Sequence, residues 1–140
     1  MKIGITGSRD GISQLAINTL KEQLRISNIS EVHHGDCVGA DQTIHEIISS
    51  LPSDGKIKIV IHPPNNNSLR AYCDSSYILP PKPYLDRNHD IVDCTDQLFA
   101  FPSTKQEIMR SGTWSTVRYA KKIYKPITMI YPDGTTESIS

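Results

Sequence analysis

Of the 140 residues, one is tryptophan, two are phenylalanine and three are cysteine, and these scarcities narrow what the chain can be. Cys37, Cys73 and Cys94 are odd in number and form no CxxC pair. That fits free thiols in a reducing compartment better than a disulfide framework. Net charge is lacking too: 15 Lys plus Arg balance 15 Asp plus Glu. Without a basic excess no broad nucleic-acid surface is expected, whereas a small anion held by a few local groups is. No run of 18 apolar residues offers a membrane span, and Met1-Lys2-Ile3-Gly4-Ile5 is too short for an export signal, so the expectation is a cytoplasmic protein with no membrane partner. Two phosphate motifs are also missing. Neither GxGxxG nor a P-loop ending in GKS or GKT is present, which speaks against ordinary ATP hydrolysis.

What is present alternates. Short apolar runs at Ile3–Thr6, Val32–His34, Ile57–Ile61, Gln97–Phe101 and Pro126–Tyr131 read as strands. Between them lie amphipathic stretches. One follows Ser13 with Leu15, Ile17, Leu20 and Leu24. The next carries Ile44, Ile47, Ile48 and Leu51 and stops at Pro52 and Gly55. A third runs from Tyr84 to Cys94, and a fourth opens at Ser111-Gly112-Thr113 with Val117, Ala120 and Ile123. Strands alternating with helices give an α/β fold: one Rossmann-like domain over residues 1–140, with a mostly parallel sheet of about five strands and helices on both faces. Residues 65–83 break the pattern. Three Asn and three Pro without a period read as an irregular loop or a lid, with Arg70, Tyr72 and Tyr77 as its ligand-facing candidates.

Right-handed crossovers bring the loops that leave parallel strands to one rim, where open α/β sheets bind ligands. The small polar segments fall on that rim. Gly7-Ser8-Arg9 offers a close backbone approach, a hydroxyl and a planar cation. Gly35-Asp36-Cys37-Val38-Gly39-Ala40-Asp41 opens a helix, with Asp36 or Asp41 suited either to ribose hydroxyls or to capping. Arg87 and Asn88 in Asp86-Arg87-Asn88-His89-Asp90 can add charge and hydrogen bonding, or form a solvated helix face. Pro102 and the Arg110-Ser111-Gly112-Thr113-Trp114 segment present free helix amides, a hydroxyl and the single Trp, which can stack on a base or pack in the core. No metal is expected, since His33 and His34 point to opposite strand faces and no spaced Cys or carboxylate completes a set with His62. No cofactor is implied and no catalytic set is assigned.

Taken in order, Gly7-Ser8-Arg9, His34-Gly35-Asp36-Cys37-Val38-Gly39-Ala40-Asp41, His62-Pro63, Asp86-Arg87-Asn88, Phe101-Pro102 and Ser111-Gly112-Thr113-Trp114 resemble the SLOG superfamily. That group joins DprA/SMF-like proteins and the Lonely guy (LOG) phosphoribohydrolases. The resemblance runs from about Met1 to Pro132 and looks most like small stand-alone members. It implies a Rossmann-like fold with a nucleotide-derived ligand on the strand-end rim. Gly7, Ser8, Arg9, Gly35, Asp36, Gly39, Ala40, Asp41 and Arg87 would line it, and Ser111-Gly112-Thr113 stands where the family has its Gly-Gly-x-Gly-Thr phosphate loop. Where the LOG enzymes carry a catalytic Glu after that Gly-Thr, this chain has Trp114-Ser115-Thr116-Val117.

The expected function is therefore binding, by sensing or sequestering, of a nucleotide or nucleotide-derived phosphorylated small molecule. One alternative is N-glycosidic hydrolysis or transfer using Asp36, Asp41, Asp86 or Glu107. Another is DprA-like single-stranded DNA binding along Lys105, Arg110, Arg118, Lys121, Lys122 and Lys125 with Trp114, Tyr119 and Tyr124. Self-association into a homo-oligomer is expected from fold and size.

Overall fold

Runs that are apolar on successive residues, such as Leu98–Phe101, suit strands covered on both sides, and the amphipathic stretches between the strands supply the cover. The computed structural model describes residues 1–52 and 56–140. In chain order it has β1 (Lys2–Gly7), α1 (Gln14–Ile26), β2 (Glu31–His34), α2 (Ala40–Ser49), β3 (Lys58–Ile61), β4 (Tyr77–Ile78), α3 (Tyr84–Asp93), β5 (Gln97–Phe101), α4 (Gly112–Lys122), β6 (Ile127–Ile130) and β7 (Thr136–Ile139). The strands form a single sheet in the order β4-β3-β2-β1-β5-β6-β7, parallel throughout except for β6 against β7. This is the expected Rossmann-like α/β fold, with seven strands in place of about five. Gly55, expected to stop α2, lies outside the described residues.

The two extra strands are edges. β4 has two residues, both exposed, and it sits inside the 65–83 segment that reads as irregular. That segment also holds a 3-10 turn at Asn67–Leu69. β7 is polar and mostly exposed and folds back from the Pro132-Asp133-Gly134 turn onto β6. Neither strand carries the apolar run that marks a buried one.

Alternation along the central strands divides the core in two. Ile3, Ile5, Phe99 and Phe101 face Ala16 and Leu20 of α1 and Ile44 and Ile48 of α2. Leu98, Ala100, Ile127 and Met129 face Val92 of α3 and Trp114, Val117 and Ala120 of α4. Each fully buried Ile, Leu or Phe side chain contributes roughly 1.5–3 kcal/mol. The helix starts are set by side chains: the Ser13 hydroxyl accepts the Ala16 amide at 3.0 Å and donates to the Pro132 carbonyl at 2.6 Å, while Ser111 caps α4 through the Trp114 amide at 3.3 Å. Among the described residues, no helix is long and apolar enough to cross a membrane.

The strand order places the site. From β1 the chain steps outward through β2, β3 and β4, then returns to lay β5 on the other side of β1. The segments leaving β1 and β5 therefore diverge and leave a crevice between them at the carboxyl edge of the sheet.

Candidate ligand-binding cleft

A cleft of about 560 Å³ occupies that crevice. Gly7, Ser8, Arg9 and Asp10 from the end of β1 form one wall. Ser103 and Ile108–Thr113 from the segment after β5 form the other, with Tyr84 and Leu85 of α3 and Ser115 and Arg118 of α4 closing the ends. Gly112 and Thr113 are the first residues of α4, so their amides have no acceptor within the helix and the positive end of the helix dipole faces the cleft. Arg9, Arg110 and Arg118 bring three guanidinium groups to the same walls. Arg118 is fixed by Nη1 on Glu107 at 2.7 Å and by Nη2 on the Met109 carbonyl at 3.0 Å, which pins the segment after β5. Leu85, Ile108 and Met109 are exposed apolar side chains on the rim. The cleft thus joins anion-binding groups to an apolar ledge.

Of the residues singled out by sequence, Gly7, Ser8, Arg9, Ser111, Gly112 and Thr113 meet in this cleft. The Ser8 amide is committed to the Phe101 carbonyl at 3.1 Å, and its Oγ accepts the Asp10 amide at 3.1 Å. What Ser8 retains for a ligand is its hydroxyl hydrogen. Gly39 and Ala40 serve the cleft from behind. The Ala40 amide donates to the Ser8 carbonyl at 2.9 Å, and Gly39, at φ 96°, lies where a Cβ would run into the Ser8 and Arg9 carbonyls. Glycine is required there by both conformation and space. Pro102 is buried and borders an adjoining hollow with Ser8 and Ser103.

A smaller pocket of about 30 Å³ lies deeper, lined by Gly7, Arg9, Gly35, Asp41, Tyr84, Arg87, Asn88, Gly112 and Thr113, among others. Tyr84 lines both spaces. Its ring lies near two cations, 5.7 Å from the Arg9 guanidinium and 5.2 Å from that of Arg87, and a Cβ on Gly112 would overlap its hydroxyl. Arg87 is 3% exposed. It donates through Nη1 to the carbonyls of Gly35 and of His62, the latter at 3.2 Å, and through Nη2 to Cys37 Sγ at 3.4 Å. Arg87 thereby clamps the ends of β2 and β3 together. Asp41 Oδ2 accepts the amides of Gly35 at 3.2 Å and Cys37 at 3.3 Å. Burial pushes the Asp41 carboxyl up to about 6, opposed by the charge of Arg87. The Cys37 thiol is also held above its ordinary value, by burial first and by Asp41 second, so it is no ready nucleophile.

Two other candidates serve the fold. Asp36 is fully buried, and its carboxylate takes Arg70 Nε at 2.8 Å and the Cys73 amide at 2.9 Å. Trp114 packs in the core beside Val117 and Leu98 and does not line the cleft. None of residues 65–83 lines the cleft either. Sequence reasoning passed over Tyr84, Leu85, Ile108 and Met109 as cleft residues, and offered Arg118 only for a DNA surface. For Arg118 a signal existed: Ser111, Ser115 and Arg118 recur at four- and three-residue spacing and so share one helix face.

Histidines reappear in an unexpected set. His34, His45 and Cys73 bring ligand-type atoms within 4.8 Å of one another. His34 Nδ1 accepts the Asp36 amide at 2.9 Å, so the ring proton sits on Nε2 and is donated to His45 Nδ1 at 2.8 Å. A metal-bound His needs the opposite arrangement, with the ligating nitrogen bare and the other ring nitrogen protonated. Cys73 adds a second obstacle, because burial and the Asp36 carboxylate push its thiol up to about 12. The two histidines form a hydrogen-bond chain that starts at the Asp36 amide.

No protein-family model and no curated protein matches the chain. Among solved structures it is similar to DNA processing protein A from Helicobacter pylori, described for its "unique single-stranded DNA binding mode", at 18% identity and a TM-score of 0.61. The match covers 92% of this chain and 64% of that one. The chain has a DprA-like fold. This agrees with the SLOG-type resemblance at the level of the Rossmann-like architecture; the chain spans under two thirds of the DprA-like structure.

Proposed function

We propose that the protein binds a nucleotide or a nucleotide-derived phosphorylated small molecule in the cleft between the ends of β1 and β5. The observation that carries this reading is the pairing of features on one crevice. The α4 amides of Gly112 and Thr113 and three arginines stand on the same walls as the apolar ledge of Leu85, Ile108 and Met109. Phosphate suits the former, through helix-end amides and bidentate guanidinium contacts. A base suits the latter. Such a ligand raises thermal stability on binding, by about 2.7 kcal/mol at one hundred times its Kd. Purified protein titrated with AMP, ADP, ATP, ADP-ribose and a cyclic dinucleotide is expected to show a rise in Tm with at least one, abolished by Arg110→Ala combined with Arg118→Ala. No shift across the panel would end this reading.

Single-stranded DNA binding is the second reading, favoured by the description of the structural neighbour and revising the expectation of no nucleic-acid partner. The basic and aromatic residues proposed for it do not form one groove. Arg110 and Arg118 line the cleft, whereas Lys121 and Lys122 stand in the last turn of α4, about 14–15 Å along the axis from the helix start that faces the cleft. Trp114 is buried, and Tyr119 stacks on His89 and donates to Asp93. DNA contact would therefore centre on the cleft arginines. An oligothymidine titration at several salt concentrations tests it, with a negative salt slope and loss on Arg110→Ala as the supporting result.

For N-glycosidic turnover the carboxylates are unequal. Asp36 is held by Arg70 and Glu107 by Arg118, and Asp86 lies exposed in the first turn of α3. Asp41 alone of the four borders the inner pocket.

A further inference from the structure

Two residues that line the inner pocket each hold a buried polar atom with no partner among the described residues: Asp41 Oδ1 and Arg87 Nε. Their side chains are at least nine-tenths buried, with Asp41 8% and Arg87 3% exposed. Leaving such atoms unpaired is costly, and more so when they are charged. The rest of each group is anchored. Asp41 Oδ2 holds the amides of Gly35 and Cys37, and the Arg87 guanidinium lies so tightly over Gly35 that a Cβ there would overlap it. The two groups thus flank one glycine, fixed in place, each with one valence unspent. One is an acceptor and the other a donor. A hydroxyl group carries both complements: its hydrogen suits Asp41 Oδ1 and its oxygen suits Arg87 Nε.

The pocket adjoins the larger cleft along a shared wall of Gly7, Arg9, Tyr84, Gly112 and Thr113. Tyr84 lines both, and it is the first residue of α3, half-buried, with exposed Pro83 before it. At about 30 Å³ the inner space holds one small group as it stands. The Tyr84 ring is the largest side chain on that shared wall.

We propose that Asp41 and Arg87 form a sugar-hydroxyl subsite behind Tyr84, which makes the cleft selective for ribonucleotides over their deoxy counterparts. This rests on the reading of the cleft as a nucleotide site and assigns it a substrate class. The phosphate occupies the Ser111–Thr113 and arginine end, and a ribose hydroxyl reaches inward past Tyr84. A deoxy ligand leaves the buried carboxylate oxygen and the guanidinium Nε without that partner, and discrimination against a ligand lacking a bonded hydroxyl is strong.

Calorimetric titration of the full chain with AMP, 2′-deoxy-AMP and 3′-deoxy-AMP tests the proposal. Wild-type protein is expected to bind AMP at least tenfold more tightly than one of the deoxy forms. Asp41→Asn is expected to bring the two within twofold of each other, because the asparagine oxygen keeps the Gly35 and Cys37 amides while its amide nitrogen meets the Arg87 donor. Tyr84→Ala is a second variant at a half-buried position; it is expected to keep the preference or enlarge it. Equal binding of AMP and both deoxy forms by wild type, or a preference that survives Asp41→Asn, overturns the subsite while leaving nucleotide binding intact. So does loss of the preference in Tyr84→Ala, should Asp41→Asn fail to fold. Absence of binding by all three, with the phosphate-bearing panel also silent, overturns the cleft reading and the subsite together.

Discussion

Asp36 and Arg70, 34 residues apart, meet as an ion pair whose carboxylate is fully buried and whose guanidinium side chain is 16% exposed, Arg70 Nε donating to Asp36 Oδ2 at 2.8 Å. Asp36 is in a left-handed conformation with φ 56°, which short polar side chains tolerate better than others. Its carbonyl accepts the Ala71 amide at 2.7 Å and its Oδ1 the Cys73 amide at 2.9 Å. The end of β2 thereby anchors the segment that leads to β4. Arg70→Ala leaves the fully buried carboxylate without its cation, so urea unfolding is expected to lose roughly 3–5 kcal/mol. A loss below about 1 kcal/mol would place the pair among solvent-screened surface contacts.

Arg118 behaves differently, because its partner Glu107 and its own side chain are both substantially exposed, at 41% and 36%. Such pairs contribute little to stability, about 0–1 kcal/mol. The same guanidinium holds the Met109 carbonyl and lines the cleft. Arg118→Ala is therefore expected to leave the urea midpoint nearly unchanged while weakening the affinity for any bound mononucleotide at least tenfold, about 1.4 kcal/mol. Equal affinity in variant and wild type would remove Arg118 from the site.

How far the sequence foretold this arrangement depended on whether the signal was local. β1, β3, β5 and β6 announced themselves as short apolar runs, and Ser13 and Ser111 as caps, because a strand buried on both faces and a helix start are written in adjacent residues. Ser8, Arg9, Gly112 and Thr113 were legible as cleft residues for the same reason: each follows a strand or opens a helix at the carboxyl edge. β4, with two residues, and β7, polar on an edge, offered no such run. Asp36 looked like a ligand group, and nothing nearby signals that Arg70 reaches it from 34 positions on. Tyr84 and Met109 reach the cleft only through packing between distant segments. The His34–His45 contact likewise joins a strand to a helix face that sequence spacing alone does not align.

The buried Asp41 carboxyl makes stability depend on pH in a particular direction. In the unfolded chain it ionises near its ordinary value of 3.8, whereas in the folded protein burial, opposed by Arg87, holds it at about 6. Between those values the native state binds the extra proton, so this group's contribution to stability falls as pH rises, by up to roughly 1.4 kcal/mol per pH unit. Asp41→Asn has nothing to titrate. The stability of wild type minus that of the variant is expected to decline from pH 4 to pH 6 and to level off above it. A flat difference from pH 4 to 7, measured by urea unfolding, would mean that the carboxyl ionises normally.

His34 sets the opposite trend. It is fully buried, and burial, reinforced by His45 beside it, holds its imidazole down at about 3. The unfolded chain protonates near 6.5 while the native ring stays neutral, so the stability this residue contributes at neutral pH is lost as pH falls from 6.5 toward 3. His62, lowered to about 4 by burial and then by His33, adds to the same loss. The Asp36 amide on His34 Nδ1 fixes the Nε2–H tautomer, and that tautomer is what denies the His34, His45 and Cys73 trio a metal. Long-range proton–nitrogen NMR is expected to show His34 neutral and Nε2-protonated down to pH 5, with its nitrogen shifts and the Tm unmoved by equimolar zinc. Zinc-dependent movement of the His34 and His45 signals, with a rise in Tm, would show that the ring proton yields and the trio is a ligand set after all.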